Sequence, residues 1–115
     1  MMKGGIMYKQ REIVLIPFPN SDLTGSKLRP ALIISNENLL GNDKICCLIT
    51  SNPAAEQDSI FIGKNDFENG TLPFKSWVKS YRLFTINERI IKRKLCRVKV
   101  NFHKKIVHSI NNYIN

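Results

Sequence analysis

The sequence predicts an α+β chain that is mainly β: a small sheet of antiparallel, strongly curved strands forming a partial barrel, with one C-terminal helix. Two observations carry this. Short runs rich in Val, Ile and Leu recur along the chain, each bounded by Pro, Gly, Asn, Asp or Ser. Only the last stretch, "NFHKKIVHSINNYIN", changes to a period of about four, with Phe102, Ile106, Ile110 and Tyr113/Ile114 recurring along it.

The elements follow in order. "REIVLIPF" (Arg11–Phe18) reads as a strand that Pro17 and Pro19 end. "NSDLTGSK" (Asn20–Lys27) has loop composition. "RPALIIS" (Arg29–Ser35) is a second strand with Pro30 near its start, where a missing N–H is tolerated. "ENLLGND" is a turn or loop, and "KICCLITS" (Lys44–Ser51) is a third strand. "NPAAEQD" reads as a loop, "SIFIG" (Ser59–Gly63) as a short strand, and "KNDFENGTLPFK" as a turn-rich connection. "SWVKSYRLFTI" (Ser76–Ile86) is a long strand with a bend, and "NERIIKR" a short helix capped by Asn87. "KLCRVKV" (Lys94–Val100) alternates as a strand does. The terminal helix is expected to be capped by Asn101.

At 115 residues the chain fits one domain, spanning 1–115. No apolar run approaches the ~20 residues of a membrane span, and the N-terminus has no apolar secretion segment, so the expected location is the cytoplasm. Eighteen Lys+Arg against nine Asp+Glu give a net charge of +9, which favours an anionic partner. The odd count of three cysteines argues against a disulfide framework. Cys46 and Cys47 are adjacent, point to opposite faces of a strand, and are expected to be small buried hydrophobes.

The sequence has no phosphate-binding glycine loop, HExxH or nucleophile elbow. His103 and His108 are five residues apart on the predicted helix and share no face, so surface or boundary roles are expected of them. Arg29 stands out: a permanently charged fork of donors sits beside a rigid proline, after the flexible basic stretch "TGSK". Two readings stand. It either grips phosphate oxygens or bridges to a loop carboxylate such as Asp22. Thr50 and Ser51 end the third strand, where their hydroxyls can face a cleft.

Three blocks then carry a resemblance: "EIVLIPFPNSDLTGSKLRPALIIS", "LITS" and "SWVKSYRLFTIN". In order and spacing, from about Glu12 to Arg97, they resemble the MazF/PemK family of toxin ribonucleases. The resemblance implies an SH3-like barrel acting as a homodimer. It implies sequence-selective cleavage of single-stranded RNA with no metal or other cofactor, and restraint by an acidic antitoxin protein. By position, Arg29 and Thr50 match the family's catalytic arginine and threonine. The chain departs from the family where Arg11-Glu12 replaces Gly-Asp, and where Lys79 and Tyr81 replace an Arg/Asp acid–base pair found in some members.

Lys27, Lys79 and Arg82 are the RNA-backbone candidates, against the plain reading of solvated charges. Ser26, Ser51 and Tyr81 complete the candidate RNA-binding set. Phe18 and Phe84 have the shape to stack on bases, but strand aromatics usually bury. Two other functions share the fold expectation. One is a non-catalytic inhibitor of a protein target such as DNA gyrase, against which the Arg29/Thr50 pair speaks. The other is an inactive nucleic-acid-binding barrel.

Overall fold

The computed structural model describes residues 7–20, 22 and 24–115. Seven strands run in chain order as β1 (Glu12–Pro19), β2 (Ser26–Ile33), β3 (Asp43–Thr50), β4 (Ile60–Phe61), β5 (Phe67–Asn69), β6 (Trp77–Asn87) and β7 (Arg93–Val98), and α1 (Val100–Ile114) follows. They form one curled antiparallel sheet in the spatial order β4-β6-β3-β2-β1-β7-β5, a half-barrel left open between its two short edge strands.

The sheet has an apolar core on each face. Ile13, Leu32, Cys47, Ile49, Val78 and Val98 pack against Phe102, Ile106 and Ile110 of α1. On the other face Val14, Ile16, Ala31, Ile33, Cys46, Ile86 and Ile91 form a second cluster. The strands therefore read as nearly continuous apolar runs, because both of their faces are covered. Phe18 and Phe84 pack on the second cluster with their rings edge-on, centroids 5.4 Å apart, so they are core residues and not base platforms.

Several element boundaries differ from the sequence expectation, each for a physical reason. β1 runs through Pro17 to Pro19, because those residues lie beyond Leu15, the last β1 residue paired with β7, and their missing N–H groups interrupt no ladder there. β2 starts at Ser26, three residues before Arg29, because β1 continues to pair with it. Pro30 is thus inside the strand. "NPAAEQD" forms a 3₁₀ turn (Pro53–Asp58) capped by the Asn52 side chain, and the turn-rich segment contains β5. The cap of α1 is Lys99, not Asn101: the chain leaves β7 at Val98 and turns straight into the helix, placing Asn101 in its first turn. The Asn87 cap does form, its side chain accepting from the Arg89 N–H at 3.0 Å ahead of the 3₁₀ turn Glu88–Ile90. The long strand is bent as expected. Its register with β3 shifts between Cys47 and Leu48, leaving residues 80–82 as a bulge.

Arg11 stands where the resemblance has a glycine. Its φ is 77°, the left-handed region that glycine occupies without strain. The side chain offsets part of that cost: Nη1 donates to the Val98 carbonyl and to Glu68 Oε1, both at 2.8 Å. Arg11→Ala keeps the strain and loses both bonds, whereas Arg11→Gly loses the bonds and the strain together. Urea unfolding is expected to rank the proteins with Gly above Ala by about 1 kcal/mol; equal stability would mean that the turn is unstrained.

The three thiols are buried, Cys46 and Cys47 completely and on opposite faces. Desolvation pushes Cys46 and Cys47 up to about 12 and Cys96 up to about 11, from an ordinary 9.0. Two outcomes are expected. Ellman's reagent at pH 8 should label none of the three until denaturant is added. Because the folded-state values are raised, the neutral thiols stabilise the fold fully below pH 9 and lose that contribution as the pH climbs towards 12. Thermal melts across pH 8 to 11 should fall more steeply for the parent chain than for Cys46→Ala/Cys47→Ala.

Candidate functional site

β2 and β3 pair at Ile33/Cys46, Leu32/Cys47 and Ala31/Leu48, and there the ladder stops. Pro30, the next residue of β2, has no N–H to offer a neighbouring strand. Beyond Ala31/Leu48 the two strands part, and a cleft of ≈ 660 Å³ opens between residues 27–30 of β2 and residues 49–52, the end of β3 and the two residues after it. Continuing the register two residues past the last pair would set Arg29 opposite Thr50. The strand order thus brings together two residues that lie 21 positions apart in the chain.

The floor is apolar, from Leu15, Pro30, Ile49, Leu72 and Leu95. Arg93, Leu15 and Pro30 are successive cross-strand partners on β7, β1 and β2, so one row of the sheet crosses the site. The rim carries Lys27, Arg29 and Arg93, with Thr50, Ser51, Asn52 and Thr71 between them. Among the described side chains, no carboxylate lines the cleft. Three cations over an apolar floor make an electropositive pocket of the size that holds small ligands.

Thr50 is held by a turn. Its Oγ1 accepts the Asn52 N–H at 3.1 Å, which leaves its own proton free to be donated. Asn52 in turn caps the following 3₁₀ turn through Ala54 N–H, at 3.0 Å. Arg29 is half-buried and, among the described residues, makes no ion pair. The bridge to Asp22 is absent. That carboxylate accepts the Thr24 hydroxyl at 2.7 Å and the Thr24 N–H at 3.1 Å, and these bonds hold it below its ordinary range.

The structure brings Lys27, Arg29, Thr50 and Ser51 into one cleft and leaves Ser26, Lys79, Tyr81 and Arg82 outside its lining. Ser26 pairs with Pro19 at the hairpin end. Lys79 lies two residues along β6 from Trp77, the partner of Thr50. Its Nζ donates to the Tyr81 hydroxyl at 3.2 Å, and that hydroxyl donates to Asp58 Oδ2 at 3.3 Å. Asp58 thereby brings a carboxylate, from another element, to the hydroxyl of Tyr81. The Tyr81 ring meets Tyr113 of α1 edge-on, at 6.0 Å. His103 is outside the cleft too, with Nε2 3.1 Å from the Ile34 carbonyl, and His108 is exposed on α1.

Arg93 and Phe74 are among the cleft residues that escaped sequence reasoning. Arg93 sits in the basic run "KRK", indistinguishable by type from its solvated neighbours until β7 is laid beside β1. Phe74 was signalled only by being an aromatic in a segment with no strand or helix to bury it. Among the described residues, no group of three or more metal-ligating side chains is present, and no helix is long and apolar enough to cross a membrane.

A family model describing PemK-like, MazF-like toxins of type II toxin–antitoxin systems matches residues 9–114. The chain belongs to this toxin family. No curated protein sequence matches the chain significantly. Solved structures of MazF proteins share the fold at low identity. The MazF of a MazE–MazF structure from Deinococcus radiodurans superposes with a TM-score of 0.73 at 14% identity, over 93% of this chain and 95% of that one. An endoribonuclease in complex with its cognate antitoxin, from a mycobacterial species, gives 0.69 at 17% identity, covering 91% and 92%. A MazF toxin of Mycobacterium tuberculosis gives 0.67 at 18%, covering 89% and 94%. This chain is therefore a MazF-like toxin, and its half-barrel is the MazF fold.

Proposed function

We propose that this MazF-like toxin is a sequence-selective endoribonuclease that cuts single-stranded RNA at the cleft between β2 and β3. The observation that supports this most is the meeting of Arg29 and Thr50 in a cleft with three cations and, among the described side chains, no carboxylate, in a chain of this family. An RNA strand carries one negative charge per phosphate, and Lys27, Arg29 and Arg93 match that pattern.

The reaction is an internal transfer at phosphorus. The ribose 2′-oxygen bonds to the adjacent phosphorus and the bond from phosphorus to the 5′-oxygen breaks. The 2′-proton ends on the departing 5′-oxygen, giving a 2′,3′-cyclic phosphate and a 5′-hydroxyl. The Arg29 guanidinium faces the negative charge that builds on the non-bridging oxygens, with two donors at fixed geometry. The Thr50 hydroxyl donates to the scissile phosphate or to the 2′-oxygen, its orientation set by the Asn52 N–H. Neither group is a base at neutral pH, so alignment and charge stabilisation supply the acceleration. Ser51 and Lys27 hold the strand within the cleft; Ser26, Lys79, Tyr81 and Arg82 contact it where it runs beyond.

The chain acts as one toxin domain in the cytoplasm and pairs with a second copy of itself. An acidic antitoxin protein restrains it. The MazE–MazF and endoribonuclease–antitoxin structures of its fold neighbours support that partnership, and the net charge of +9 suits an acidic partner. No observation favours a non-catalytic inhibitor of a protein target. The test is incubation with a long single-stranded RNA in EDTA. Discrete fragments ending in cyclic phosphate are expected; intact RNA would refute the proposal.

A further inference from the structure

Phe74 is 72% exposed, the most exposed aromatic ring among the described residues, and it lines the same cleft as Arg29 and Thr50. An exposed phenyl ring contributes little to a core, and this one does not stand alone on the surface but continues the apolar lining of a charged cleft, the composition of a ligand site. The loop that carries it is anchored at both ends. Gly70 has a φ of 75° and lies so close to β7 that an added Cβ would stand 3.0 Å from Cys96 Cβ. At the other end, buried Ser76 donates its hydroxyl to the Phe74 carbonyl at 2.8 Å. The ring is therefore held ready on a fixed backbone.

What binds beside cationic phosphate contacts must present both negative charge and a flat apolar face. An unstacked nucleobase, linked to the phosphate at Arg29, does so. We infer that Phe74 is a base-stacking residue: it takes the face of one nucleobase next to the phosphate held by Arg29, with the apolar floor of Leu15 and Leu72 beneath. This rests on the cleft being the RNA site. Stacking is tolerant of base identity, so Phe74 contributes affinity and positioning more than sequence readout.

The test measures binding apart from cleavage. Labelled random-sequence 12-mers built on 2′-O-methyl ribose cannot be cut by 2′-oxygen attack, and their affinity is read by fluorescence anisotropy. Phe74→Ala is expected to weaken binding roughly tenfold, the usual loss on removing one aromatic–base stack. Phe74→Leu should lose about as much, because it keeps apolar area without a π-face, and Phe74→Trp should bind at least as well as the parent. All three should melt with the parent, since the ring is exposed. Affinity of Phe74→Ala within twofold of the parent, full retention by Phe74→Leu, or no binding by the parent chain would each overturn the inference. Cleavage in EDTA separates this from the proposed activity. A parent that cuts, with Phe74→Ala binding unchanged, leaves the nuclease reading and refutes the stack. A parent that binds through Phe74 yet cuts nothing keeps the stack and refutes the nuclease.

Discussion

Arg29→Ala protein is expected to leave single-stranded RNA uncut where the parent chain yields discrete fragments, with kcat lowered by about 10³-fold or more. The size follows from the role. The phosphorane carries an extra negative charge, and a half-buried guanidinium above an apolar floor meets that charge at lower dielectric than water does. Lys27 and Arg93 line the same cleft but are exposed, and their charges are screened; they cannot substitute. Arg29→Lys restores charge without the two-pronged geometry, so only a minor part of the rate should return. Folding should be unaffected, because Arg29 makes no ion pair among the described residues, and an unchanged melt is the control. Thr50→Ala should cost about 10²-fold, while Thr50→Ser, which keeps the oxygen that accepts the Asn52 N–H, should retain most activity. Cleavage by Arg29→Ala at the parent rate would place the chemistry elsewhere.

Ile106→Ala is the substitution expected to damage the fold most. Ile106 is fully buried in the middle of α1, between Phe102 and Ile110, in the core cluster that includes Cys47, Ile49 and Val78 of the sheet. Replacing it removes three carbons from water-free packing and leaves a cavity that a curled sheet on one side and a helix on the other cannot close. The expected loss is about 3 kcal/mol in urea unfolding, from the 2–5 kcal/mol typical of such truncations. Against a total stability of about 5–15 kcal/mol for a domain of this size, that is a large share. Lys105→Ala, one residue away and exposed, should change stability by less than about 0.5 kcal/mol. If both variants unfolded at the same urea concentration, α1 would be an appendage and not a wall of the core. The damage should reach activity only through the folded fraction, since α1 contributes no residue to the cleft.

Local chemistry determined much of this protein before any coordinate was placed. Val/Ile/Leu runs between turn residues dictate strands, because branched side chains suit a pleated backbone and Pro, Gly and Asn interrupt it. A four-residue apolar period dictates the terminal helix and its buried stripe of Phe102, Ile106 and Ile110. The burial of three unpaired cysteines was also legible, and the resemblance of short blocks pointed to Arg29 and Thr50, two residues that line one cleft. What the sequence left undecided depends on groups far apart in the chain. Strand ends follow the partner, so β2 begins at Ser26 because β1 still faces it, and β5 exists because β7 lies alongside. The fate of Asp22 was open until its own turn claimed it, which released Arg29 to the cleft. Phe18 and Phe74 are the same residue type near prolines. Packing against Phe84 puts one in the core, and the other, which no element among the described residues covers, stays on the rim. Composition and periodicity act over a few residues. A cleft is made by strands that part, and where they part is set by register across the whole sheet.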